Sequence, residues 1–187
     1  MKFTKMHGLG NDYIYVNCFE EPVENPAEVA KIVSDRHFGI GGDGLILVCP
    51  SEIADVRMRI FNADGSEAEM CGNGLRCVTK FAFERNLGEA GGSFAIPGQP
   101  PFPHSMNIET GNGILRVGIS TDESGLVDQV CVNMGQPILK ASDIPVAVDA
   151  ERVVDFPIAI GTQELSMTCV SMGNPHAMFF CEDVNEI

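Results

Sequence analysis

The alternation of apolar and polar positions over the first fifty residues predicts strand, strand, helix and strand. Asp12 to Cys18 (DYIYVNC) is aromatic and β-branched, the composition of a buried strand. The helix is marked by Asn25 as N-cap, Pro26 at the first helical position and Glu28 at capping-box spacing. Val29, Ile32 and Val33 form its apolar stripe, and it should end near His37-Phe38-Gly39. Asp55 to Phe61 then sets Val56, Met58 and Ile60 against Arg57 and Arg59, the period of a strand with one buried face. Asn62-Ala63-Asp64-Gly65 turns the chain.

A second helix is expected from about Gly72 to Asn86, with Gly88 as its stop. Leu75, Cys77, Val78, Phe81, Ala82 and Phe83 leave it apolar almost all round, so it must be enclosed by the rest of the fold. Its single polar stripe is Arg76, Lys80 and Glu84. Beyond Phe94 the pattern is short strands and turns: Ser105 to Thr110, Gly113 to Ile119, Leu126 to Asn133, Val153 to Ile160, Leu165 to Ser171 and Ala177 to Cys181. The proline-rich stretch Pro97 to Pro103 reads as a surface loop. There is no repeat, and a soft domain boundary near residue 127 would divide 1–127 from 128–187.

Composition narrows the class. A hydrophobic fraction of 44% and a charged fraction of 20% fit a folded globular protein. A formal net charge of -14 repels phosphate backbones and anionic lipid, so nucleic acid and membrane surfaces are excluded as partners. No apolar stretch reaches the roughly 18 residues of a membrane span, and no signal-peptide pattern opens the chain. The seven cysteines are an odd number without a C-x-x-C pair, which points to reduced thiols in the cytoplasm.

Several motifs carry candidate chemistry. Gly39 to Gly44 (GIGGDG) matches the spacing of a dinucleotide fingerprint, but a helix precedes it and a strand follows, the reverse of what that fingerprint needs, so it is read as a turn and a nicotinamide cofactor is rejected. Asn62 to Gly65 lacks the ligands of a calcium loop. His7 and His176 stand in turns with no metal-ligand spacing. Cys71, in Met70-Cys71-Gly72-Asn73-Gly74, is placed where the second helix starts, and free amides with the helix dipole favour thiolate there. Its alternative role is that of a small buried hydrophobe, the role assigned to the other six cysteines. A redox pair of Cys71 and Cys77 is disfavoured, because six residues of helix turn their side chains far apart. Asn11, Asn62, Asn73 and Asn174 all lie in glycine-rich turns, either for backbone reasons or to converge on a zwitterionic ligand; the residues alone leave both open.

The strings KMHGLGNDY (Lys5 to Tyr13), RHFGIGGDG (Arg36 to Gly44), RIFNADGSEAEMCGNGLRC (Arg59 to Cys77), VNMGQPI (Val132 to Ile138) and SMGNPHA (Ser171 to Ala177) resemble, in order, those of diaminopimelate epimerases. The resemblance implies an α+β fold of two pseudo-symmetric halves, each a central helix wrapped by mostly antiparallel strands, with the second half incomplete here and the active site in the cleft between halves. It implies an isomerase of lysine and peptidoglycan biosynthesis that interconverts LL- and meso-diaminopimelate with two cysteines and with neither pyridoxal phosphate nor metal, in a possible homodimer. Cys71 carries over as one catalytic thiol and His176 as a residue that tunes the thiols. Asn11, Asn62, Gly72, Asn73 and Asn174 carry over as substrate contacts, whereas Gly44 stands where family members place a substrate-contacting Gln. The chain ends at Ile187, ahead of the family's second cysteine, so a fragment inactive by itself as an epimerase is expected. The competing reading is a non-catalytic binding or assembly remnant of the same fold.

Overall fold

Strands β2 (Asn11–Asn17) and β3 (Gly44–Cys49) set the plan, because their side chains are apolar on both faces. Tyr13, Tyr15, Ile46 and Val48 point to one side and Ile14, Val16, Leu45 and Leu47 to the other, and each set joins a separate cluster of buried residues. A strand buried on both sides must be covered twice. In the computed structural model, which describes residues 1–161, 163–181 and 183, the two covers are helices α1 (Pro26–Ser34) and α2 (Gly72–Glu84).

The other strands of this unit are β1 (Thr4–Gly8), β4 (Val56–Asn62), β5 (Glu67–Ala68), β6 (His104–Thr110), β7 (Gly113–Thr121) and β8 (Val127–Val132). They form a mixed sheet in the order β1-β2-β3-β4-β6-β7-β8, with β5 added to β4. The pairs β2–β3 and β4–β6 are parallel and the rest antiparallel. Helix α2 packs against β8 at one end of this order and β1 at the other, so the sheet curls around it. Its Leu75, Val78, Phe81 and Ala82 are buried to 2% exposure or less, each large side chain contributing about 1.5–3 kcal/mol. The polar stripe behaves as the spacing implies: Lys80 pairs with Glu84 at 2.7 Å, and the two hold the start of β8 by bonds to the carbonyl and amide of Val127.

Helix α1 departs from expectation in four ways. Asn25 adopts a left-handed φ of 50° and makes no side-chain cap; its carbonyl instead accepts the amides of Glu28 and Val29. Glu28 does not close a capping box, because its carboxylate takes Lys31 at 2.8 Å. The helix ends at Ser34, where the Asp35 carboxylate accepts the amides of His37 and Phe38 and folds the chain into a turn. Its buried side is Ala30, Val33 and Ser34, while Ile32 is 69% exposed. On β4, Val56, Met58 and Ile60 face α2 as their alternation predicts, but Phe61 is also buried, against the α1 layer. The proline-rich loop is tied at its base by the Phe94–Phe102 bridge, whose rings lie over Gly118 so closely that a Cβ there would meet Phe94 at 2.5 Å.

This unit extends through Asn133 rather than stopping at 127, since β8 pairs with Val117 to Thr121 of β7. The second unit, from Met134, holds a three-stranded antiparallel sheet in the order β11-β10-β9, made of β9 (Phe156–Ile160), β10 (Gln163–Ser171) and β11 (Pro175–Phe179). Strand β9 starts later than Val153 because Asp155, at φ 48°, breaks the extended run; Val153 packs instead beside Ile144, Met167 and Cys169. Among the described residues the unit carries a single 3-10 turn, Ala141–Asp143, and no α-helix.

Candidate active site

Three backbone turns of the first unit meet at one end of its sheet. The first joins β1 to β2 through Leu9 and Gly10, both at positive φ (55° and 87°), a tight hairpin that delivers Asn11 as the first residue of β2. The second is the glycine-rich loop after α1. Gly42 lies so close to Asp12 that a Cβ would be 3.1 Å from the Asp12 carbonyl, and the next amide, of Asp43, donates to that same carbonyl at 2.6 Å. The glycines therefore bring Asp43 against β2, which is the work of the GIGGDG sequence in this fold.

The third is the start of α2. Cys71 is its N-cap, extended at φ -142°, ψ 110°, and half-buried. Its Sγ accepts the Gly74 amide at 3.4 Å, in the manner of a capping oxygen, and its S–H donates to Asn11 Oδ1 at 3.4 Å. Gly74 packs close to β3: a Cβ there would lie 2.7 Å from Ile46 Cδ1, and that side chain would have to move. Gly72 and Asn73 occupy the first turn of α2, whose amides have no intrahelical acceptor. Asn73 Oδ1 accepts from Arg76, and its carbonyl sits under Gly8 of β1.

Asn62 closes the same end. It faces Gly44 across β3–β4, its Nδ2 donates to Ser66 Oγ at 3.0 Å, and the following amide, of Ala63, donates to the Asp43 carbonyl. Gly44 has no room for a longer side chain: a Cβ would stand 2.2 Å from the Phe61 carbonyl and 2.9 Å from the Tyr13 ring. Asn11, Asn62, Cys71, Gly72 and Asn73 are thus gathered in one place. Asn174 and His176 belong to the second unit: Asn174 lies in the β10–β11 turn, where Gly173 takes φ 101°, whereas His176, expected in a turn, is in strand β11 opposite Val170, and both side chains are exposed. His7 is exposed opposite Asp12 on β1. Among the described residues no three His, Cys, Asp or Glu side chains come together as a metal ion needs.

The sequence reading missed a charged cluster beneath the thiol. The Asp43 carboxylate accepts Asn11 Nδ2 at 2.6 Å, the Asp12 amide at 3.0 Å and Arg36 at 2.8 Å. Arg36 also grips both oxygens of Asp12, at 2.7 and 3.2 Å, and Lys5 reaches Asp12 at 3.1 Å. The Arg36 guanidinium holds the Asp12 carboxyl down to about 2. The Tyr13 phenol lies beside Cys71 and Asn11 and is pushed up to about 12, first by burial and then by the neighbouring thiol. The only sequence signal for this cluster was a pair of aspartates inside glycine-rich turns, a pattern that turn propensity explains equally well. What results is a thiol held between a backbone amide donor and a carboxamide acceptor, at a helix start with further free amides, the equipment for moving a proton next to a developing anion.

The family model for diaminopimelate epimerase matches residues 3–140. The chain is 53% identical over 191 residues to the diaminopimelate epimerase of Agathobacter rectalis, covering 98% of this chain and 62% of that protein. It is 54% identical over 185 residues to that of Acetivibrio thermocellus, covering 99% and 61%. The chain therefore spans about three fifths of the length of these relatives. Among solved structures, a phenazine biosynthesis protein of the PhzF family from Bacillus anthracis superposes with a TM-score of 0.57 at 22% identity, covering 96% of this chain and 56% of that one, a likeness of fold.

Proposed function

The chain belongs to the diaminopimelate epimerase family, and from that premise we propose that it carries one of the two thiols with which the whole protein inverts the α-carbon of diaminopimelate, between the LL and meso forms, in lysine and peptidoglycan synthesis. The observation that carries this reading is the seat of Cys71, at the N-cap of α2 between the Gly74 amide and the Asn11 carboxamide. One thiolate removes the α-proton while a thiol on the opposite face delivers another, so that neither pyridoxal phosphate nor a metal ion is called upon.

An α-proton of an amino acid is weakly acidic, and the site has to stabilise the planar carbanion. The amides of Gly72 and Asn73, free at the helix start next to Cys71, suit a substrate carboxylate. Asn11 and Asn62 offer neutral donors and acceptors on the sheet side. Asn174 supplies a further substrate contact and His176 tunes the thiols, a part of the proposal that rests on the motif SMGNPHA. The cytoplasm is the compartment that fits seven cysteines all present as free thiols.

The test is proton exchange at the α-carbon. In deuterium oxide, the chain supplied with the remaining C-terminal segment of the Agathobacter rectalis relative should epimerise LL-diaminopimelate with deuterium incorporation, and Cys71→Ala should abolish both. Turnover that survives Cys71→Ala refutes the assignment of the thiol.

A further inference from the structure

A carboxylate only accepts hydrogen bonds, so whichever end of the Asn11 amide faces Asp43 must be the nitrogen. The structure places Nδ2 there, 2.6 Å from Asp43 Oδ2, and this leaves Oδ1 as the group turned toward Cys71. Asp43 is itself unable to turn away: its backbone amide is bonded to the Asp12 carbonyl, its carboxylate to the Asp12 amide, and its other oxygen to Arg36. The Asn11 amide is therefore locked with its acceptor against the sulfur. An acceptor stabilises S–H and opposes S⁻.

We propose that Asp43 is a positioning residue which, by fixing the orientation of Asn11, keeps Cys71 in the proton-carrying thiol form in the free protein, so that Cys71 meets its substrate as the acid of the pair. The idea rests on the assignment of Cys71 as a reacting thiol. When Cys71 gives its proton to the substrate carbanion, the S–H bond breaks, a C–H bond forms, and the electron pair remains on Sγ. The Gly74 amide, which already donates to Sγ, is then the group that holds the thiolate. Sγ thus sits between an acceptor whose orientation is fixed by Asp43 and a donor fixed by the helix.

The titratable groups around this pair come from several elements. Tyr13 and Tyr15 approach from β2, Cys77 from α2, and the cluster of Asp12, Lys5 and Arg36 lies behind Asp43. Removing the Asp43 charge would also act on the sulfur directly, in the same direction as releasing Asn11. A double-mutant comparison separates the two routes.

The experiment is residue-resolved alkylation of the unmodified chain by iodoacetamide across pH 5 to 10, with mass spectrometry reading Cys71 and the buried Cys77 in the same sample. In Asp43→Asn, the amide at position 43 can donate as well as accept, Asn11 is free to turn, and Cys71 should alkylate about three- to tenfold faster at neutral pH, with its profile displaced to lower pH. Asn11→Ala, which removes the acceptor outright, should show the same displacement. Adding Asp43→Asn to Asn11→Ala should move the profile by much less than Asp43→Asn does alone. An equal displacement by Asp43→Asn in both backgrounds would mean direct charge and overturn the proposal, as would an unmoved profile in Asp43→Asn with Cys77 still protected. If Asp43→Asn exposes Cys77 and so fails to fold, Asn11→Ala decides alone: a profile that stays put or moves to higher pH overturns it. None of these readings uses diaminopimelate, so failure of the epimerase assignment and failure of the positioning role are told apart.

Discussion

Tyr15 makes a prediction whose sign runs against intuition. Its side chain is fully buried between β2 and α2, with the ring 6.4 Å from that of Phe81, and its hydroxyl has no hydrogen-bond partner among the described residues. Burial, followed by the neighbouring Cys77 thiol, drives the phenol far above its ordinary range. A hydroxyl taken from water into such a place without a partner costs roughly 1–3 kcal/mol. Tyr15→Phe removes that cost and leaves a gap of one oxygen atom, which subtracts only a few tenths of a kcal/mol, about 0.2–0.3. The variant should be more stable by about 1 kcal/mol, seen as a urea midpoint raised by roughly 0.5 M. The same gain should persist in a Cys77→Ala background. A Tyr15→Phe protein that is less stable than its parent refutes the argument, and a gain that appears only in the Cys77→Ala background shows the thiol to be a real partner of the hydroxyl.

Three other perturbations probe the same unit. Glu84 holds Lys80 and the Val127 amide, so Glu84→Ala should cost about 1–2 kcal/mol and speed hydrogen exchange at Val127; an unchanged exchange rate at that amide would detach β8 from the helix stripe. The Asp12 carboxyl is lowered from 3.8 to about 2, so its contribution is complete above pH 3.8 and is lost as the pH falls through about 2; Asp12→Asn should forfeit that stability at pH 7 and flatten the acid limb of a urea titration, and an acid limb as steep as the parent's refutes it. Cys18 is lowered by its hydrogen bond from Cys49, with burial opposing, so it should alkylate at lower pH in the parent than in Cys49→Ala; no difference between the two proteins would exclude the thiol pair.

How far the sequence reveals this site depends on the range over which each residue acts. Strand β4 and the enclosed α2 are written in local apolar patterns, and β2, buried on both faces, in its local run of aromatic and β-branched residues. The seat of Cys71 was legible for the same reason, because a helix start is announced by its own neighbours. The end of α1 was misjudged by a single local competitor, the Asp35 carboxylate, which captures two amides that the helix pattern alone would leave to water. The curl of the sheet and its two parallel pairings join segments far apart in the chain, and no window of residues encodes them.

Asp43 is the instructive case. Reading GIGGDG as a turn was enough to reject a dinucleotide site, yet the same reading treats the aspartate as part of the turn, with nothing to do. Its partners Asn11 and Asp12 are 32 and 31 residues away, so its role exists only once β2 and β3 lie side by side in their parallel register. The glycines around it then gain a second reason to be there, since a side chain at position 42 or 44 would strike β2 or β4 and push Asp43 off Asn11. A glycine-rich loop can thus serve a thiol two turns of chain away without touching it, by bringing one carboxylate close enough to decide which end of an asparagine the sulfur sees.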